Sequence, residues 1–183
     1  MQLWLIRHPP PQIAAGVCYG RTDLALAADV AAAAARIRPQ LPPHAPLFTS
    51  PLQRCRQLAD ALHAAPQSDD RLQEMHFGDW EMTPWSRIQR EALDGWAADP
   101  LGYRPPRGES VAELRARVLG FVADAHRAGL QRAVLVTHAG VMKVIVGQVR
   151  GLPERQWMSL GFDYESVVCI EFEDSPDASP FFR

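Results

Sequence analysis

Apolar and polar positions along this chain follow two periods. Leu3-Trp4-Leu5-Ile6 is a short continuous apolar run that halts on Arg7-His8 and then on Pro9-Pro10-Pro11, which predicts a buried strand delivering two polar side chains at its end. Ala133-Val134-Leu135-Val136-Thr137 halts on His138 in the same way, and Leu47-Phe48-Thr49 and Val167 to Phe172 supply two further strands. Between them the period lengthens to that of a helix. Ala27 to Arg38 is alanine-rich and stopped by Pro39; Leu52, Cys55, Leu58, Ala59 and Leu62 mark a second apolar face; Val111, Leu114, Val118, Phe121 and Val122 mark a third, ending at Gly129. Pro84 to Ala97 and Ala139 to Arg150 read as two more helices. Ser50 with Gln53, and Ser110 with Glu113, have the spacing of capping boxes. Pro9 to Leu26, Arg71 to Glu81 and Tyr103 to Gly108 break both periods and read as irregular connections.

Strands alternating with helices predict a three-layer α/β/α sandwich around a mostly parallel sheet. With 183 residues and no internal repeat or linker, the chain reads as one domain over 1–183, frayed over 173–183. In such a sheet ligands bind at the carboxyl ends of the strands. Arg7-His8 and His138 occupy that place, so two imidazoles and a guanidinium are expected in one pocket.

Composition narrows the partners. Nineteen basic against twenty-one acidic side chains leave a formal charge of −2 without a basic tract, which argues against nucleic acid. Leu3 to Ile6 is too short for a signal peptide and no apolar run has the length of a membrane span, so the expectation is a cytoplasmic protein with no membrane partner. Cys18, Cys55 and Cys169 are odd in number and far apart, indicating neither disulfides nor a zinc site. Lys143 is the only lysine beside eighteen arginines, a bias that base composition explains.

Four segments carry polar groups that packing does not demand: Arg7-His8, Thr49-Ser50-Pro51-Leu52-Gln53-Arg54, Leu72-Gln73-Glu74 and Thr137-His138-Ala139-Gly140. A guanidinium fork matches phosphate oxygens. Arg54, in a helix's first turn, is a cation where the dipole disfavours one. Ala139-Gly140 leaves the amino terminus of the last helix open to an anion. His44, His63, His76 and His126 lack such settings.

Together, and in this order, the four segments resemble the histidine phosphatase superfamily, the phosphoglycerate-mutase-like family, over roughly residues 1–172. The resemblance implies a metal-independent phosphomonoester hydrolase that works without a cofactor on a small-molecule phosphate ester. It implies that His8 becomes phosphohistidine, that Arg7, Arg54 and His138 bind the phosphoryl oxygens, and that Glu74 is the proton donor, with Glu81 nearby as a fallback. Such chemistry needs His8 unprotonated while Glu74 holds a proton. The chain departs from the family at Pro9-Pro10-Pro11, where glycine usually follows the histidine; proline offers no backbone donor.

Within the superfamily, Cys18-Tyr19-Gly20-Arg21-Thr22-Asp23 and Phe77-Gly78-Asp79-Trp80-Glu81-Met82 look most like the α-ribazole phosphatases of cobalamin biosynthesis. That resemblance implies removal of the 5′-phosphate of α-ribazole phosphate. Tyr19, Gly20 and Arg21 are read toward the substrate, and Trp80 and Trp85, whose aromatic faces can stack on a benzimidazole-like ring, toward the leaving group, with packing beneath loops as the alternative for both tryptophans. The alternatives are a broad-specificity phosphatase, a phosphoglycerate mutase, a metal-dependent hydrolase built on His8, His138 and Glu74, and a catalytically silent phosphate-ester binder.

Overall fold

The computed structural model describes residues 1–172; the tail expected over 173–183 lies outside them. Five strands, β1 (Gln2–Arg7), β2 (Leu47–Thr49), β3 (Gln67–Ser68), β4 (Arg132–Thr137) and β5 (Val167–Glu171), form one sheet in the order β3-β2-β4-β1-β5. β1, β2, β3 and β4 run parallel, and β5 pairs with β1 antiparallel, Leu5 opposite Val168. The helices are α1 (Val30–Ile37), α2 (Gln53–Leu62), α3 (Arg90–Ala98), α4 (Val111–Arg127), α5 (Ala139–Val149) and α6 (Glu154–Trp157).

The alternation of strand side chains sorts these helices into layers. Leu3, Leu5, Ala133 and Leu135 point into a core shared with α4, α5 and α6. Ile6, Val134 and Val136 point the other way, into a core shared with α1 and α2. The two central strands are thus apolar on both faces, as a covered parallel sheet requires.

Three sequence expectations need correction. Ser50 does not cap α2: the helix begins at Gln53 after Leu52, whose side chain caps nothing, and the Gln53 amide donates instead to Asp23 Oδ1 at 2.7 Å. The first alanine-rich helix starts at Val30 rather than Ala27, because Asp29 accepts from the amides of Ala31 and Ala32. The helix expected over 84–97 is a short 3-10 turn, Trp85–Arg87, followed after a break by α3. Trp80, Ile88 and Cys18 form a third, small core beside this broken stretch, and packing into it outweighs a continuous helix. The Ser110 and Glu113 capping box at α4 is present as expected.

The register sets up the site. Arg7 lies opposite Thr137, and Thr49 opposite Val136, so the chain leaves β1, β2 and β4 at one edge of the sheet. The next residues stay in register: the His8 amide donates to Thr137 O and the Ser50 amide to Val136 O, both at 3.0 Å. No helix among the described residues is long and apolar enough to cross a membrane.

Candidate active site

His8, Ser50 and His138 emerge from three adjacent strand ends, and tertiary packing brings the other groups to them. The His8 and His138 rings are 5.1 Å apart, edge to face, and His8 is 2% exposed. His8 Nδ1 lies 2.6 Å from Pro9 O; a carbonyl only accepts, so Nδ1 carries the proton and the Nε2 lone pair is left free. Proline after the histidine therefore contributes a carbonyl that fixes the tautomer. Burial, then the charges of Arg54 and Arg7, push the His8 pKa down to about 3 against the opposing Pro9 hydrogen bond. His138, fully buried, is held well below the usual histidine value, first by burial and then by Arg54. Its Nε2 sits 2.8 Å from Ser50 Oγ, which explains why Ser50 is not a helix cap.

Two guanidinium groups flank this pair. Arg54 is completely buried, its Nη1 donating to Thr22 O at 2.8 Å and its Nη2 to Gly20 O at 2.5 Å. Arg7 Nη1 donates to Phe162 O at 2.6 Å, and its guanidinium carbon lies 3.8 Å from the centre of the Tyr164 ring. The Nε–H of each is buried without an acceptor among the described residues, and neither arginine has a carboxylate partner there. Neutral carbonyls do not compensate a buried cation, whose desolvation costs several kcal/mol. Arg54 is such a cation, and with the half-buried Arg7 beside a neutral imidazole it makes a site for a multiply charged anion.

Glu74 reaches the same place from an irregular segment. Thr137 Oγ1 donates to Leu72 O at 2.8 Å, and Arg117 of α4 donates to the carbonyls of Arg71, Gln73 and Glu74, pinning the segment against the sheet edge. The Glu74 carboxylate accepts from Met75 N at 2.9 Å and from Gly140 N at 3.1 Å. The amino terminus of α5 is therefore occupied by Glu74, not left open to an outside anion as the sequence suggested.

Glu81 has a different task. Burial favours its protonated form, but donation from Thr22 Oγ1 and from the amides of Arg21, Thr22 and Phe77 outweighs burial and holds its pKa below the usual range. It is a clamp for the loop carrying Gly20 and Arg21, not a fallback proton donor.

The expected substrate-side residues divide. Tyr19 lines the cavity, and its hydroxyl lies 2.7 Å from that of Tyr164. Gly20 supplies the carbonyl that holds Arg54; a Cβ there would lie 2.0 Å from Met75 O, so only glycine fits. Arg21 turns away, its guanidinium paired with Glu109. Neither Gly20 nor Arg21 is part of the cavity wall, and the fully buried Arg54 and His138 are absent from it as well; Gly20 serves the site through Arg54.

The cavity beside His8 has a volume of about 240 Å³. Its polar lining includes Arg7, His8, Tyr19, Glu74 and Lys143, and its apolar lining Phe77, Trp85, Trp96, Leu114 and Trp157. Trp85 and Trp96 are parallel, 5° between planes with centroids 6.0 Å apart. Trp80 is instead buried behind them, stacked on Tyr103. Among the described residues no three His, Cys, Asp or Glu side chains gather to hold a metal ion.

Sequence reading missed Tyr164, Arg117 and Lys143. Only Lys143 left a signal: it lies three residues after Gly140, on the same helix face.

A nucleophile-ready imidazole between one buried and one half-buried guanidinium, with a carboxyl group lining the same cavity, defines a phosphoryl-handling enzyme. The sequence matches the histidine phosphatase superfamily (branch 1) over residues 3–178, and the chain belongs to that superfamily, with the phosphoglycerate-mutase-like α/β fold; it is a phosphoric monoester hydrolase by class. It is 30% identical over 173 residues to the adenosylcobalamin/α-ribazole phosphatase of Escherichia coli (strain K12), covering 86% of this chain and 83% of that protein. It is 32% identical over 178 residues to the glucosyl-3-phosphoglycerate phosphatase of Mycolicibacterium vanbaalenii, covering 87% and 79%. The crystal structure of the α-ribazole phosphatase from Shigella flexneri superposes with a TM-score of 0.81 at 25% identity, covering 95% of this chain and 92% of that one.

Proposed function

We propose that this protein hydrolyses small-molecule phosphomonoesters through a phosphohistidine on His8, and that its preferred ester is α-ribazole 5′-phosphate. The observation that carries the hydrolytic reading is the pair of buried, acceptor-less guanidinium N–H groups beside a histidine whose Nε2 is unprotonated. His8 Nε2 attacks phosphorus in line, a P–N bond forms and the ester P–O bond breaks. Glu74 gives its proton to the departing alkoxide. Water then attacks the phosphohistidine, Glu74 takes the water's proton, the P–N bond breaks, and inorganic phosphate leaves. Arg7 and Arg54 stabilise the charge on the equatorial oxygens in both steps. His138, neutral in the free enzyme, donates one further hydrogen bond; a dianionic phosphoryl group beside it favours its protonated form.

The α-ribazole assignment is supported by the relatives above and by the parallel Trp85 and Trp96 rings in the cavity lining, with Phe77 edge-on to both, aromatic faces that suit a benzimidazole-like ring. A second reading, a carboxylated ester such as a phosphoglycerate derivative, is favoured by one observation: Lys143 places a cation in the lining of the same cavity.

The test is release of phosphate from α-ribazole 5′-phosphate against a panel of other monoesters, with His8→Ala as the blank and acid-labile, base-stable phosphoprotein sought by rapid quench. Highest kcat/KM on α-ribazole 5′-phosphate, with no turnover by the variant, is expected. Full activity in purified His8→Ala defeats the phosphohistidine reading.

A further inference from the structure

Among the described residues, Lys143 is the one cavity cation that the proposed chemistry at phosphorus does not use. It lies on α5 three residues past Gly140, whose amide holds Glu74. That places it about 4.5 Å further along the helix axis, at 1.5 Å per residue, in the lining of the same cavity as Glu74. Its stem runs along an apolar wall with Val144, Trp157 and Met158 also lining the cavity. Its ammonium donates to Met158 O at 2.8 Å and makes no ion pair with a carboxylate among the described residues. An ammonium has three donors, so two remain for another acceptor. Burial lowers its pKa, Glu74 opposes this and Arg7 adds to it, so its ammonium answers to the same charges that surround the reacting ester.

We propose that Lys143 is a specificity-determining residue for the leaving group: its ammonium takes an oxygen acceptor, a carboxylate or a hydroxyl, on a carbon two or three bonds from the ester oxygen. The inference rests on the hydrolase reading above but not on the choice of α-ribazole. Glu74 fixes where the departing oxygen sits, and the lysine one helical turn further reads the atoms next to it. Phosphate binding by Arg7 and Arg54 is common to every ester; the lysine's contact is the polar one that differs between esters.

The experiment compares kcat/KM of the intact protein, Lys143→Met and Lys143→Gln on three probes: phenyl phosphate, which has no such acceptor, ribose 5-phosphate, which offers hydroxyls, and O-phosphoserine, which offers a carboxylate. In Lys143→Met the ratio of kcat/KM on an acceptor-bearing probe to that on phenyl phosphate is expected to fall at least about tenfold, through KM. A larger loss on O-phosphoserine identifies the carboxylate; a larger loss on ribose 5-phosphate, partly restored in Lys143→Gln, identifies the hydroxyl. An equal fall on all three probes means that the lysine only tethers Met158 and overturns the proposal, as does an unchanged ratio. Failure of the underlying reading has its own signature: turnover of phenyl phosphate by His8→Ala as fast as by the intact protein, or no turnover of any probe.

Discussion

The backbone amide of Gly140 donates to Glu74 Oε2 at 3.1 Å, and a Cβ added to Gly140 would lie 2.2 Å from Glu74 Oε1. The glycine after His138-Ala139 thus has a steric reason: it lets the carboxyl group sit on the first turn of α5, across the cavity from His8. Gly140→Ala should leave the fold intact, since alanine suits a helix, but it must displace Glu74. Misplacing a proton donor by about 1 Å costs on the order of 10²-fold in rate. The expected result is a kcat near one hundredth of the parent with KM changed less than about threefold. Unaltered kcat would show that the Glu74 contact is dispensable.

The depressed pKa values of His8 and His138 also make stability depend on pH. In the unfolded chain both histidines take a proton near the ordinary value of 6.5, whereas folded His8 does so only near 3. The unfolded state therefore binds more protons between these values. The contribution is fully present above pH 6.5 and is lost as pH falls from there toward 3, with a slope of roughly 1.4 kcal/mol per pH unit for each histidine. His138 acts in the same direction. Urea unfolding between pH 7 and pH 4.5 should give His8→Asn, which keeps a donor toward Pro9 O, a slope smaller by about that amount. Parallel slopes for variant and parent would mean that His8 titrates normally in the folded protein.

The legible parts of this chain are those whose local pattern agrees with their tertiary role. β1 and β4 read as buried strands because both faces are apolar, and α4 read correctly from its cap to Gly129 because Ser110 and Glu113 bond each other within one turn. Arg7, His8 and His138 could be placed together because strand ends in a parallel sheet share an edge. The failures have equally physical causes. Ser50 carries a cap signature, yet its hydroxyl is taken by His138, 88 residues away. β3 is two exposed polar residues, with no apolar alternation to betray it. Arg21 stands in a motif pointing at substrate but pairs with Glu109, a long-range partner invisible in sequence. Tyr164 covers Arg7 from a loop whose position only the antiparallel entry of β5 determines. Burial and register reach the sequence as periodicity; a hydrogen bond between distant loops leaves no such trace.

Arg54 offers the most direct probe of the anion site in the absence of turnover. Its Nη1 and Nη2 are held by Thr22 O and Gly20 O, and its buried Nε–H lacks an acceptor, so the guanidinium is fixed in place with its charge uncompensated. An inorganic phosphate dianion binding beside it relieves that cost in the folded state only. By mass action, phosphate at one hundred times its Kd stabilises by about 2.7 kcal/mol, which for a chain of this length raises Tm by roughly 5–10 °C. The Tm of the parent should rise with phosphate, linearly with the logarithm of its concentration above Kd, and chloride at equal ionic strength should do little. Arg54→Met should lose more than half of that phosphate-dependent rise whatever its Tm in phosphate-free buffer, because the comparison is internal to each protein. Retention of the full rise by Arg54→Met would place the anion elsewhere and remove the electrostatic basis for attack by His8.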